Sequence, residues 1–214
     1  MVREVLDKIK NCIVELNLEG ITEAIKEALE LGIPPYTVLM DGMAEGMKDV
    51  GKKYEAGEYF LAELVVAGEV MKEGMKVLEP KLKLQNIKAK GVVVIGTVKG
   101  DLHDIGKDVV ATLLKSAGFE VIDLGVDVPP ERFVEEAKSR NAHIVATSAL
   151  LTTTMPEIGN VIKALEDAKI RSKVKVIVGG APLTKDFAEK IGADAYGKDA
   201  VEGVKICENW MKGV

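Results

Sequence analysis

Apolar residues recur along this chain at two different periods, and the change falls near residue 90. From Val2 to Leu16 they stand at Val2, Val5, Leu6, Ile9, Ile13 and Leu16, which is helical spacing. Asn17-Leu18-Glu19-Gly20 breaks the pattern. Thr22 is placed to cap a second helix, with Ala24, Ile25, Ala28, Leu29 and Leu31 on its apolar side. Gly32 stops that helix, and Pro34-Pro35 open a third that runs to about Tyr54, with Val38, Leu39, Met43, Met47 and Val50 inward. A fourth is expected from about Tyr59 to Glu79, closed by Pro80. Four amphipathic helices with short connections predict an antiparallel bundle. Met40, Met43, Met47, Met71 and Met75 read as core filler within it. Lys81 to Lys90 is polar and basic at alternate positions and reads as an exposed linker.

Beyond Gly91 short β-branched runs alternate with helical patterns. Val92–Thr97, Phe119–Gly125, His143–Ala149, Val174–Val178 and Asp194–Tyr196 read as strands, the last one weak. Helices are expected over Asp108–Ala117, from Pro129-Pro130 to Arg140, and over Met155–Ala168, Lys185–Lys190 and Ala200–Lys212. Repeated βα units imply a parallel sheet with right-handed crossovers. Five strands predict the flavodoxin-like (Rossmann-like) order 2-1-3-4-5, with a crevice where strands one and three part. The fold class is therefore α/β: a four-helix bundle over residues 1–88, then a five-stranded parallel-sheet domain over 89–214.

Composition narrows the function. The net charge is −5 with no basic stripe, and aromatic residues are only 4% of the chain, so nucleic-acid binding is disfavoured. No apolar run has the length of a membrane span, and the amphipathic start MVREVLDKIKN is not a signal peptide. Cys12 and Cys207 sit far apart in helical patterns, which suits free thiols in a reducing cytoplasm.

The stretch with chemistry is GVVVIGTVKGDLHDIG, residues 91–106. A buried strand gives way to a loop in which His103 lies between Asp101 and Asp104, at the carboxyl end where open α/β sheets bind ligands. A lone histidine is more often a surface or core residue than a ligand. Here Asp101 is close enough in sequence to orient the imidazole by accepting one ring N–H. One histidine cannot hold a bare transition metal tightly, but it could give one axial ligand to a metal already held by a macrocycle. His143, at the start of a strand, reads as structural. Asp104 reads equally well as a helix cap or a ligand contact. Ser148, Thr152 and Thr154 either cap the helix after strand three or, facing Gly179-Gly180, hydrogen-bond a buried polar tail. The dinucleotide and Walker phosphate fingerprints are missing, no nucleophile elbow is present, and the Cys and His spacings fit no zinc cluster.

Asp101-Leu102-His103-Asp104-Ile105-Gly106 resembles the D-x-H-x-x-G motif of B12-binding proteins. Ser148-Ala149-Leu150-Leu151-Thr152 resembles their S-x-L-x-T segment, and Gly179-Gly180 their glycine pair. The four preceding helices resemble the cap module of cobalamin-dependent methionine synthase. The whole chain looks like the small corrinoid proteins of methanol and methylamine methyltransferase systems, of methylotrophic or acetogenic one-carbon metabolism.

That resemblance implies a cobalamin or related corrinoid whose cobalt alternates between methyl-Co(III) and Co(I) forms. His103 would be the lower axial ligand, the one metal-binding residue, with Asp101 bonded to its imidazole and Thr154 standing where the family often has a serine. Leu102, Asp104, Ile105 and Leu150 would line the cofactor. Its nucleotide tail would enter beside Gly106, Ser148, Thr152, Gly179 and Gly180. Phe60, Leu64 and Val65, with Leu61 alongside, would cover the upper corrin face. The implied function is a methyl carrier between a substrate-specific methyltransferase and a second one acting on a thiol or folate, with a reductive activase as a further partner. Alone, the chain is not expected to turn over a substrate. The other class that shares these modules is a B12-dependent sensor, which needs an output element; a mutase subunit fits the cap poorly.

Overall fold

In a computed structural model the protein is described over residues 2–83 and 89–212. It divides into two compact units, Met1–Lys88 and Ala89–Val214.

The first unit is helical throughout its described residues outside short turns. It comprises α1 (Val2–Val14), α2 (Gly20–Glu30), α3 (Pro35–Thr37), α4 (Glu45–Glu55) and α5 (Leu61–Lys83), with a π-helical segment, Val38–Ala44, joining α3 to α4. α1 packs on α2, on the π segment and on α4, while α2 packs on α5. Met43, Met47 and Met71 are buried core residues, whereas Met40 and Met75 are half-buried. Three details depart from the apolar pattern. Thr22 lies inside α2, and it is Asn17 Oδ1 that accepts the Gly20 N–H at 2.9 Å, before the helix. The π segment interrupts the third helix; its extra residue keeps Val38, Leu39, Met43 and Ala44 all on the buried side. Pro80 does not end α5, which continues to Lys83. Pro80 removes one backbone bond near the helix end, and residues 76, 79 and 80 face solvent, where water can satisfy the freed carbonyl. Half of the expected linker, residues 84–88, lies outside the described residues.

The second unit holds a five-stranded parallel sheet in the order β2-β1-β3-β4-β5. The strands are β1 (Val92–Thr97), β2 (Glu120–Asp123), β3 (Ile144–Ser148), β4 (Lys175–Gly179) and β5 (Ala195–Gly197). Between and after them run α6 (Ile105–Ser116), α7 (Pro130–Ser139), α8 (Met155–Asp167), α9 (Lys185–Lys190) and α10 (Ala200–Trp210). β1, β3 and β4 are covered on both faces, which is why they read as continuous apolar runs. On one face Val94, Val145, Val176 and Val178 pack with Phe133 of α7 and Ile158 and Ile162 of α8. Alternate residues point to the other face, where α6 and α10 pack on each other. The order puts the reversal of chain direction between β1 and β3, so their carboxyl ends border an open crevice. α6 begins at Ile105, directly after Asp104, the residue read as its cap, and three residues before Asp108, where the apolar span was read.

Candidate functional site

The site is assembled at the carboxyl ends of β1 and β3. Asp101 is wholly buried and its carboxylate is saturated with donors. Oδ1 accepts the His103 backbone N–H at 3.2 Å and His103 Nδ1 at 2.7 Å. The two-residue spacing explains both bonds. An Asp side chain readily accepts the N–H two residues on, and that turn carries the imidazole back over the same oxygen. Oδ2 accepts from Thr154 Oγ1 at 2.7 Å, from Leu150 N at 2.7 Å and from Leu151 N at 3.2 Å. Burial alone would push this carboxyl up. The hydrogen bonds from Thr154, from His103 and from the Leu150 backbone outweigh it and hold Asp101 well below the usual carboxylate range.

A carboxylate can only accept, so the bond to His103 puts the ring proton on Nδ1 and leaves the Nε2 lone pair free. Nε2 has no hydrogen-bond partner among the described residues, and half of the side chain is exposed, at 50%. Thr97 Oγ1 donates to the His103 carbonyl at 2.8 Å and fixes the backbone from the strand side. Leu102 and Ile105, in the same stretch of chain as His103, and Leu150 and Leu151, whose backbone N–H groups meet Asp101, are all exposed despite being apolar. Exposed leucines beside a solvent-facing imidazole make a rim suited to a flat apolar ligand.

Thr97, Ser148 and Gly179 sit abreast at the ends of β1, β3 and β4, on the face that α6 and α10 cover. Gly106, in the first turn of α6, has nothing within 4 Å of where its Cβ would be. Gly180 is different. With φ +140 its Cβ would be driven into the Ala149 carbonyl oxygen, so glycine there serves the crossing of two loops. Asp104 occupies the position before α6 but its side chain makes no capping bond, and it is exposed. Thr154 likewise precedes α8, yet its hydroxyl goes to Asp101 and not to the helix. Thr152 is exposed and stands outside the carboxylate cluster. His143 lies at the opposite end of the sheet, its Nδ1 accepting the Val92 N–H at 3.1 Å.

In the helical unit Phe60 is 68% exposed and stands just before α5, where Glu63 Oε2 accepts its N–H at 2.8 Å, one half of a capping box. Leu61 follows it and is exposed, Val66 is exposed further along the helix, and Val65 is half-buried. Leu64 is only 1% exposed and faces the bundle interior, so the adjacent exposed apolar pair is Phe60 and Leu61. A concavity lined by Glu4, Val5, Lys8, Glu27, Glu30 and Leu31 lies elsewhere in this unit and holds none of these residues. Leu151 and Thr97 escaped sequence reasoning. Leu151 acts through a backbone N–H, which no side-chain pattern reveals, and a strand-end threonine has too many ordinary uses to stand out.

Among the described residues no group of three or more His, Cys, Asp and Glu side chains could hold a bare ion. With Nδ1 bonded to Asp101 and the ring half exposed, His103 presents a single nitrogen donor, of the kind that can complete a metal whose other ligands come from elsewhere. Two family models match the chain, both described as a B12 binding domain, over residues 91–205 and 5–79. Trimethylamine corrinoid protein 1 of Methanosarcina acetivorans is 45% identical over 203 residues, 94% of each chain.

The chain belongs to the B12-binding corrinoid proteins.

Dimethylamine corrinoid protein 3 of the same organism is 44% identical, over 95% of this chain and 93% of its own length. Among solved structures, a chain of the methanol:cobalamin methyltransferase complex MtaBC from Methanosarcina barkeri matches with TM-score 0.86 at 30% identity. The match covers 99% of this chain and 81% of that one. A cobalamin-binding protein from Desulfitobacterium hafniense matches with TM-score 0.78 at 33% identity, over 96% and 98%. Within this family the free Nε2, the apolar rim and the open space at Gly106 are the features of the chain that fit a corrinoid. Among the described residues no helix is long and apolar enough to cross a membrane.

Proposed function

We propose that this chain carries a methyl group on a bound corrinoid, from a substrate-specific methyltransferase to a second methyltransferase with a thiol or folate acceptor. The observation that carries the proposal is the half-exposed imidazole whose Nδ1 is tied to a buried, fully bonded carboxylate. When bound, the corrinoid supplies a cobalt centre that can take up and yield a methyl group. His103 would hold the cobalt through Nε2. Asp101 keeps the ring proton on Nδ1, and Thr154 holds the carboxylate in place from its other oxygen. Leu102, Ile105, Leu150 and Leu151 exclude water from the lower face. Gly106, Ser148, Thr152 and Gly179 would flank the nucleotide tail, and Phe60 and Leu61 give the helical unit an exposed apolar group of its own.

Methylamines are the donors that the relatives favour. Identity to the trimethylamine and dimethylamine corrinoid proteins is 45% and 44%, against 30% for the methanol-system chain. Selectivity itself resides on the partner that holds the donor. A reductive activase that restores the methyl-accepting state completes the proposed set of partners. Cys12 and Cys207 are buried free thiols, which suits the cytoplasm as the working compartment.

The test presents the reconstituted, reduced protein with donor–methyltransferase pairs for trimethylamine, dimethylamine and methanol, and follows the visible spectrum. Methylation with a methylamine pair and none with methanol supports the proposal. Methylation with no pair, by a protein that has taken up its corrinoid, overturns it.

A further inference from the structure

Among the described residues four that are not glycine adopt a left-handed backbone: Leu16, Asp127, Asn141 and Lys169, with φ 60, 53, 49 and 58. Leu16, Asn141 and Lys169 lie just past the ends of α1, α7 and α8, where such a residue commonly completes a helix terminus. Asp127 has no such role. It lies in the loop between β2 and α7, against the residues that precede His103.

Asp127 grips that segment twice. Its backbone N–H donates to the Asp101 carbonyl at 2.9 Å, and its Oδ1 accepts the Gly100 N–H at 2.6 Å. Gly100 is itself left-handed, at φ +79, so the chain turns sharply between the two bonds. Next to them Val128 forms a parallel bridge with Val98. The other end of the same loop is also anchored. Asp123 binds Lys107 Nζ through both carboxylate oxygens, at 2.7 and 2.6 Å, and accepts the Gly125 N–H at 2.9 Å. Lys107 follows Gly106 in α6, and its side chain is 3% exposed. The stretch from Val98 to Lys107, which contains the whole D-x-H-x-x-G motif, is thus held at both ends by the β2–α7 loop.

We propose that Asp127 is a positioning residue for His103, a role that rests on reading His103 as the lower ligand. It fixes the backbone on both sides of the Gly100–Asp101 peptide, through the Gly100 N–H and the Asp101 carbonyl, so that the buried carboxylate meets Nδ1. Its left-handed backbone is what lets one residue make both bonds, and Asp and Asn tolerate that conformation better than other side chains.

Two variants of the full chain separate the parts of this role. Asp127→Gly keeps the left-handed backbone and loses the acceptor for Gly100. Asp127→Asn keeps both. In the apo protein, Asp127→Gly speeds Gly100 amide exchange and leaves a smaller fraction of His103 protonated on Nδ1, read by imidazole nitrogen NMR. With methylcobalamin bound, the ratio of His-ligated to unligated cofactor in the visible spectrum falls about tenfold, the scale of one lost charge-assisted hydrogen bond. Asp127→Asn stays within about twofold of wild type on the same scale. The unfolding midpoint of both variants stays near wild type. A wild-type ratio and a wild-type nitrogen spectrum in Asp127→Gly overturn the positioning role, as does a parallel loss of ratio and stability in both variants. His103→Ala is the control. If it keeps the wild-type spectrum, the ligand reading fails; if it changes the spectrum while Asp127→Gly does not, the positioning role alone fails.

Discussion

Replacing Asp101 by Asn keeps the side-chain shape, removes the charge and turns one oxygen into an NH2 donor. The structure dictates which oxygen. On the Oδ2 side stand Leu150 N at 2.7 Å and Leu151 N at 3.2 Å, backbone donors that cannot turn away, and Thr154 Oγ1 at 2.7 Å. The amide oxygen must take that side, so the NH2 faces His103. The imidazole can still bond, but only by accepting at Nδ1, which moves its proton to Nε2. An Nε2–H has no lone pair for a metal, so the variant loses the lower ligand although His103 is untouched. It also exchanges charge-assisted bonds for neutral ones and leaves the His103 backbone N–H, 3.2 Å from Oδ1, facing another donor. Together these amount to about 2–4 kcal/mol of stability. Urea unfolding of the apo chain reads the stability, imidazole nitrogen NMR reads the tautomer, and the spectrum of the methylcobalamin complex reads ligation. If the variant still carries its proton on Nδ1 and shows the wild-type spectrum, Asp101 does not set the tautomer and the reasoning is refuted.

Gly106→Val should fold with an unfolding free energy within about 1 kcal/mol of wild type, because its Cβ meets open space, yet bind corrinoid at least about tenfold more weakly; equal affinity would place the tail elsewhere. Gly180→Ala should destabilise the apo chain by more than about 2 kcal/mol in urea, since φ +140 and the Ala149 carbonyl both oppose a methyl group. Burial pushes the Cys207 thiol up to about 12 from 9.0, so the folded state binds this proton more tightly than the unfolded one. The stability it contributes is full below pH about 9 and is lost as pH rises toward 12, up to about 4 kcal/mol. Alkaline unfolding titrations should show a shallower slope in Cys207→Ala; an unchanged slope assigns the alkaline loss to other groups.

The α/β architecture was legible because β1, β3 and β4 are buried on both faces and advertise themselves as runs of valine and isoleucine. The order 2-1-3-4-5 followed from the alternation of strands and helices. Element ends were less legible, and each miss has a local cause. Thr22 looked like a cap although it lies inside α2, and Pro80 looked like a stop in a helix that faces water at residues 79, 80 and 81. At the site the motif pointed to Asp101 and His103, and the resemblance to Thr154; the structure brings the three into hydrogen-bond contact. Neither could show that Leu150 and Leu151 act through backbone N–H groups, or that Asp127 reaches Gly100 across 27 residues of chain. Leu64 misled for a plainer reason: on an amphipathic helix an apolar residue is core or exposed according to its face, and this one turns inward.

The central claim is that His103 Nε2 is the lower ligand of the corrinoid cobalt. It is tested most directly by electron paramagnetic resonance of the cobalt(II) holoprotein carrying nitrogen-15 only in its histidines. Coordination by His103 predicts that the nitrogen splitting changes from a triplet to a doublet on labelling, and that both vanish in His103→Ala. A triplet that persists in the labelled protein would show that the nitrogen comes from the cofactor's own base, and would contradict the claim.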